Sequence, residues 1–203
     1  MANSVDLRQL NLQKITFRLE GITPLICHAW SDKAVKMIDD KQRGKAKQPK
    51  APKDPDELYE DSLYRLSDGG YGFPAVAFKA SAVRAGTLAG MKMTETRQMF
   101  RVLTDDGDLV RIEGQPHKRQ DMVRIQQTAD VRYRGEFSEW SVNLQVLYDA
   151  DVITPEQLIN LFNRAGFSVG VGEWRMEKNG SFGSFRVDTT MPMTEVRSTK
   201  KGK

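Results

Sequence analysis

An α+β fold, one antiparallel sheet with both helices on the same face, is predicted by three features of this 203-residue sequence. Segments 13–20 and 140–148 alternate apolar and polar residues with the period of a strand that has one covered and one open side. Segment 155–165 combines helical apolar spacing with a complete N-terminal capping signal.

The first strand places Ile15, Phe17 and Leu19 on one side and Thr16 and Arg18 on the other. It runs into GITPLICHAWSD, where Gly21 and Pro24 predict a kinked or bulged continuation. Ala34, Met37 and Ile38 predict a short helix over 32–40, and residues 56–67 form a second short amphipathic segment closed by the turn Asp68-Gly69-Gly70. Pro74 then opens a helix over 75–89, with Val76, Ala80, Val83 and Thr87 on one face, abundant alanine for close packing, and Gly86 and Gly90 as candidate ends. Segments 99–103 and 109–113, separated by Asp105-Asp106-Gly107-Asp108, read as a β-hairpin. Residues 122–134 read as extended but twisted or irregular.

In the strand at 140–148, Trp140, Val142, Leu144, Val146 and Tyr148 form the apolar face. In the following helix Thr154 is the N-cap, Pro155 the first helical residue and Gln157 the other half of a capping box. Leu158, Leu161, Phe162 and Ala165 make its buried stripe, Gly166 is placed to end it, and 182–188 gives a last strand. The resulting order, βαββαβ, suits a ferredoxin-like or RRM-type domain with an inserted β-hairpin and a flexible basic arm. Sheets of the RRM type offer their uncovered face to single-stranded RNA. One such domain is expected over 1–195, with a basic insert at about 41–55 and a disordered basic tail at 196–203.

Hydrophobic content of 39% and charged content of 29% belong to a globular chain, and no apolar run reaches the roughly 18–20 residues of a membrane span. The N-terminus lacks the basic-then-apolar order of a signal peptide. The single cysteine, Cys27, fits a reducing compartment, so a cytoplasmic setting is expected. With two separated histidines, His28 and His117, it offers no set of zinc ligands, and no metal or cofactor is expected. The formal charge of +4 is unevenly spread. Residues 41–53, including Lys45 and Lys47, hold six basic side chains and no acid, and 197–203 hold four; without these ten the remainder is −6. Such arms either serve solubility or neutralise phosphates and release counterions.

The most telling stretch is Gly166–Val187, GFSVGVGEWRMEKNGSFGSFRV, where five glycines alternate with basic and aromatic residues. Arg175 and Lys178 can donate to phosphate, and Trp174 can stack on a base. The same composition also fits a connector whose aromatics are core. The Gly170-x-Gly172 pair is not a dinucleotide fingerprint, because Arg175 stands where the third glycine is needed and a helix precedes it. There is no Walker A, HExxH or serine-elbow motif. Arg132, Tyr133 and Arg134 form a second basic–aromatic cluster, Trp140 reads as core, and Trp30 is left open.

Two segments resemble the RAMP superfamily, RRM-like proteins that include CRISPR backbone and processing subunits. YGFPAVAFKASAVRAG at 71–86 is similar to that family's I-P-G-S-S-L-K-G-A-L-R element, with Pro74, Lys79 and Arg84 in the matching places. VGVGEWRMEKNGSFGSFRV at 169–187 is similar to its glycine-rich loop, through Gly170, Gly172, Gly180 and Gly183, and ITPLICHAWS at 22–31 is a weaker likeness. Ala75 departs from the family's glycine, and Glu173-Trp174-Arg175 from its usual loop filling. The resemblance implies the fold, and with it a nucleic-acid-binding protein; the small size fits a bacteriophage-encoded member.

The expected function is therefore non-enzymatic, largely sequence-independent binding of single-stranded RNA or DNA, as a homo-oligomer along the strand. Lys79, Arg84, Arg132, Arg134, Gly170, Gly172, Trp174, Arg175, Lys178, Gly180, Lys45 and Lys47 are the expected contacts. One alternative is a metal-independent endoribonuclease using His28, since some RNA-processing members of the superfamily carry an early catalytic histidine, although its apolar neighbours also fit a semi-buried structural residue. Another is a protein-interaction module, or a mimic of a CRISPR subunit, which the negative remainder favours.

Overall fold

A computed structural model describes residues 9–30, 32–44, 54–125, 128–191 and 194–197. In chain order it contains β1 (Leu12–Gly21), β2 (Leu25–Ile26), α1 (Asp32–Gln42), α2 (Pro55–Asp61), β3 (Tyr64–Arg65), β4 (Tyr71–Pro74) and α3 (Ala75–Gly86). These are followed by α4 (Met93–Met99), β5 (Phe100–Val102), β6 (Leu109–Ile112), β7 (Pro116–Ile125), β8 (Thr128–Phe137), β9 (Ser141–Asp149), α5 (Pro155–Ser168), β10 (Phe185–Val187) and β11 (Thr194–Arg197).

The main sheet runs β10-β1-β9-β5, every neighbour antiparallel, with α3 lying between β1 and β5 in sequence and α5 between β9 and β10. That is the strand order of a ferredoxin-like βαββαβ unit, so the fold is α+β as the sequence predicts. β11 adds to β1 at Gln13–Thr16, and Val196 and Arg197 therefore belong to a strand instead of the expected tail. Residues 198–203 lie outside the described residues, as do 45–53 of the basic arm; residues 41–42 of that arm end α1.

Burial follows the strand period. Ile15, Phe17 and Leu19 of β1 and Val142, Leu144, Val146 and Tyr148 of β9 are buried, and both helices cover this face. Phe162 of α5 meets Phe17 and Phe100 edge-on, with ring centroids 5.1 and 5.8 Å apart, and Phe78 of α3 meets Phe185 at 6.0 Å. Trp140 is core, as expected, with Nε1 donating to the Thr23 carbonyl at 2.9 Å. Cys27 is buried as well, which pushes its thiol up to about 12 and leaves it inert at neutral pH.

Three local expectations need correction. The expected hairpin of 99–103 with 109–113 does not form: β5 pairs with β9 in the main sheet, whereas β6 pairs with β4 in a small sheet, β3-β4-β6. The Asp105–Asp108 turn makes an isolated Asp106–Leu109 bridge and carries the chain from the main sheet to the small one. Residues 122–125 and 128–134 are extended, as expected, but regular; they belong to the long β7–β8 pair, which joins β2. Finally, α5 continues through Gly166 to Ser168. Gly166 is needed for packing: a Cβ there would lie 1.8 Å from the Phe185 carbonyl oxygen.

The two small sheets join the two insertions of the ferredoxin-like unit, since β2, β3 and β4 come from the segment after β1 and β6–β8 from the segment before β9. They build a second layer beside the glycine-rich loop.

Candidate nucleic-acid interface

The loop after α5 is fixed by its own backbone. Val171 N–H donates to Gly183 O at 2.9 Å, Gly183 N–H to Pro24 O at 2.8 Å, and Glu173 N–H to Ile26 O at 3.1 Å. Trp174 adopts a left-handed backbone (φ 50°), uncommon for a bulky residue. Gly180 packs directly beneath it, where a Cβ would fall 1.6 Å from the Trp174 carbonyl oxygen. The indole is held among three partners: Arg119 at 5.5 Å, Arg134 at 5.4 Å and the Phe182 ring at 6.1 Å. Trp174 is thus partly buried and already flanked by a tilted ring and two guanidiniums, not the free ring that base stacking would use.

Arg134 is also corrected. It is 2% exposed, with Asp121 at 3.4 Å and Glu173 at 3.8 Å, and so takes no surface role. Arg119 completes the network, pairing with Asp121 at 2.8 Å and Glu136 at 2.5 Å. These paired charges fill the inner side of the β7–β8 hairpin in place of apolar residues.

Arg84 and Arg175 are brought together. Arg84, from the last turn of α3, bonds both oxygens of Glu177; Arg175 reaches the same carboxylate through Nη2 at 2.9 Å and Nε at 3.2 Å. They stand at a groove of about 150 Å³ between α3 and the loop, walled by Ala77, Ala80, Ser81 and the backbone of Gly170–Gly172. Burial pushes the Glu177 carboxyl up, but the hydrogen bonds and charges of the two arginines overcome this and hold it below its ordinary value of 4.5. Arg84 keeps 41% of its side chain exposed and Arg175 27%, so both guanidiniums remain reachable. Two guanidiniums thus share one carboxylate of the chain beside a glycine-walled groove, in charge-assisted hydrogen bonds. Glu177 carried no signal in the sequence, where it reads as one of two acids in the loop beside Arg175 and Lys178.

The other expected contacts scatter. Lys178 is exposed in the loop's short helical turn, Lys79 is half-buried on α3 outside the groove, and Lys45 and Lys47 lie outside the described residues. Arg132 lines a different and larger cleft with His28 and Trp30. His28 is not semi-buried: 42% of its side chain is exposed, and Nδ1 lies 3.4 Å from Glu173. The Glu173 carboxyl sits below its ordinary value, first through this hydrogen bond, with Arg134 and Arg132 adding to it against the opposing effect of burial.

The outer face of the main sheet, the expected RNA platform, carries no ring at its described positions. It presents Lys14, Thr16, Arg18 and Glu20 from β1 and Asn143, Gln145 and Leu147 from β9. Arg18 is tied to Glu113 at 2.8 Å and Arg186 to Glu20 at 2.7 Å. Base stacking of the RRM kind has nothing to use there. Among the described residues no group of three or more His, Cys, Asp and Glu side chains is placed to hold a metal ion, and no helix is long and apolar enough to cross a membrane.

No family model and no curated protein matches the chain. Among solved structures, a chain of the "Cryo-EM structure of the Type III-B Cmr-beta bound to cognate target RNA" is similar at 10% identity with a TM-score of 0.47, covering 92% of this chain. This chain spans 61% of that one's length. Nothing about what this protein binds follows from a likeness at that level.

Proposed function

We propose that this protein binds single-stranded nucleic acid without transforming it, gripping the phosphodiester backbone at the Arg84–Arg175 clamp. The observation that carries the reading is the convergence of two partly exposed guanidiniums on a single oxyanion beside the Gly170–Gly172 backbone. In the bound state a phosphate replaces the Glu177 carboxylate. Lys178 and the basic arm, including Lys45 and Lys47, extend the track electrostatically, and successive copies line up along the strand. Contacts of this kind read the backbone, so affinity is largely independent of sequence and falls steeply with salt.

The test is Arg84→Ala combined with Arg175→Ala, assayed by anisotropy of a labelled single strand over a range of salt. Loss of two phosphate contacts makes the slope of log K against log salt shallower by about 1.4. An unchanged affinity and slope removes the clamp from the interface. If the native protein binds no nucleic acid and instead retains a protein partner through purification, it is a protein-interaction module.

One observation favours a second reading, metal-independent RNA cleavage. His28 is exposed, oriented by Glu173 and set in a cleft with Arg132, the arrangement of a histidine general base beside a phosphate-binding cation. Cleavage of structured RNA in the absence of metal, abolished in His28→Ala, would establish it.

A further inference from the structure

The cleft that contains Arg132 is distinct from the clamp groove and has its own chemistry. It encloses about 320 Å³ between β8, α2, α1 and the segment after β2, at the lower end of the about 300–1,000 Å³ range of small-ligand sites. Trp30 stands on its rim with 72% of its surface exposed, which leaves the indole free to stack on a ligand. Ile38 and Leu58 add apolar wall, Asp61 contributes a carboxylate, and Arg132 a cation. The cleft also adjoins the glycine-rich loop, because His28 in its lining bonds Glu173, the residue before Trp174.

We infer that this cleft receives one nucleobase of the bound strand, an inference that rests on the single-strand reading above. Trp30 stacks on the base, Asp61 accepts a hydrogen bond from an exocyclic amino group, and Arg132 neutralises the adjoining phosphate. A nucleotide meets all three demands together. An apolar peptide side chain would cover Trp30 and Ile38 but make use of neither Asp61 nor Arg132. A free phosphate would satisfy Arg132 and leave the indole in water. The cleft thus adds a preference for bases over bare backbone, and for amino-bearing bases over uracil, to a clamp that has neither.

The experiment compares two labelled probes of equal charge, an oligoadenylate and a fully abasic chain, each of about 12 nucleotides, within the span of single-strand sites. Native protein binds the oligoadenylate about tenfold more tightly. Trp30→Ala brings the oligoadenylate down to the abasic level and leaves the abasic probe unchanged, whereas Trp30→Phe retains most of the difference. Equal binding of both probes by native protein, or a Trp30→Ala effect that is absent or the same on both, overturns the inference. The two readings fail separately. If Arg84→Ala with Arg175→Ala weakens both probes while Trp30→Ala weakens neither, the clamp stands and the base site falls; if native protein binds neither probe, both fall.

Discussion

If Glu177 occupies the place of a phosphate, removing its charge should strengthen binding. Glu177→Gln keeps the shape and much of the hydrogen bonding while removing the carboxylate that Arg84 and Arg175 share. All three side chains are partly open to solvent, with 41%, 27% and 28% of Arg84, Arg175 and Glu177 exposed, so each pair falls in the surface class. Such pairs contribute about 0.2–1 kcal/mol each. An incoming strand must displace both, which puts the cost at about 1 kcal/mol, or roughly fivefold in affinity. Because the carboxyl is held below its ordinary range, the native residue is fully charged at neutral pH and the whole difference is present there. Anisotropy titration of a short single strand at low salt should show Glu177→Gln binding about fivefold tighter, with the gap closing as salt screens the competing pair. A thermal melt of both proteins controls for loosening of the loop. Unchanged or weaker binding by a stably folded Glu177→Gln protein would refute the reasoning and make the Arg84–Glu177–Arg175 contact a structural lock.

Other substitutions test the frame around the clamp. Gly166→Ala forces a Cβ against the Phe185 carbonyl and should destabilise by about 1–3 kcal/mol, seen as a melting temperature lower by roughly 5 °C. Arg134→Ala leaves buried acids under-paired and should destabilise strongly by chemical denaturation, whereas Arg134→Met, which fills the same space without charge, should retain most of the stability. Glu173 titrates below its ordinary value of 4.5, so its contribution is complete above that pH and is lost as pH falls through the depressed folded value. Acid unfolding followed by tryptophan fluorescence should therefore have a shallower limb in Glu173→Gln.

The ferredoxin-like core was legible because its central elements obey simple periods: β1 and β9 alternate, and the Thr154–Gln157 capping box marks the start of α5. Pairing between distant elements was not, since the alternation of β5 and β6 says nothing about which strand each joins. The β7–β8 hairpin stayed hidden because Asp121, Arg134 and Glu136 occupy buried positions where a pattern reading expects apolar residues. The same substitution of paired charge for hydrocarbon made Arg134 look like a surface contact. At the site, loop composition marked Arg175 and the family resemblance of segment 71–86 marked Arg84, while their partner Glu177 and the joining of Trp30, Asp61 and Arg132 in one cleft depend on contacts across the folded chain.

The central claim is most directly tested by titrating the native protein with labelled single-stranded RNA, single-stranded DNA and a duplex of equal length, at about 50 and about 200 mM salt. The account predicts saturable binding of the single strands, weaker binding of the duplex, and a marked loss of affinity at the higher salt. Absence of single-strand binding at the lower salt would contradict it.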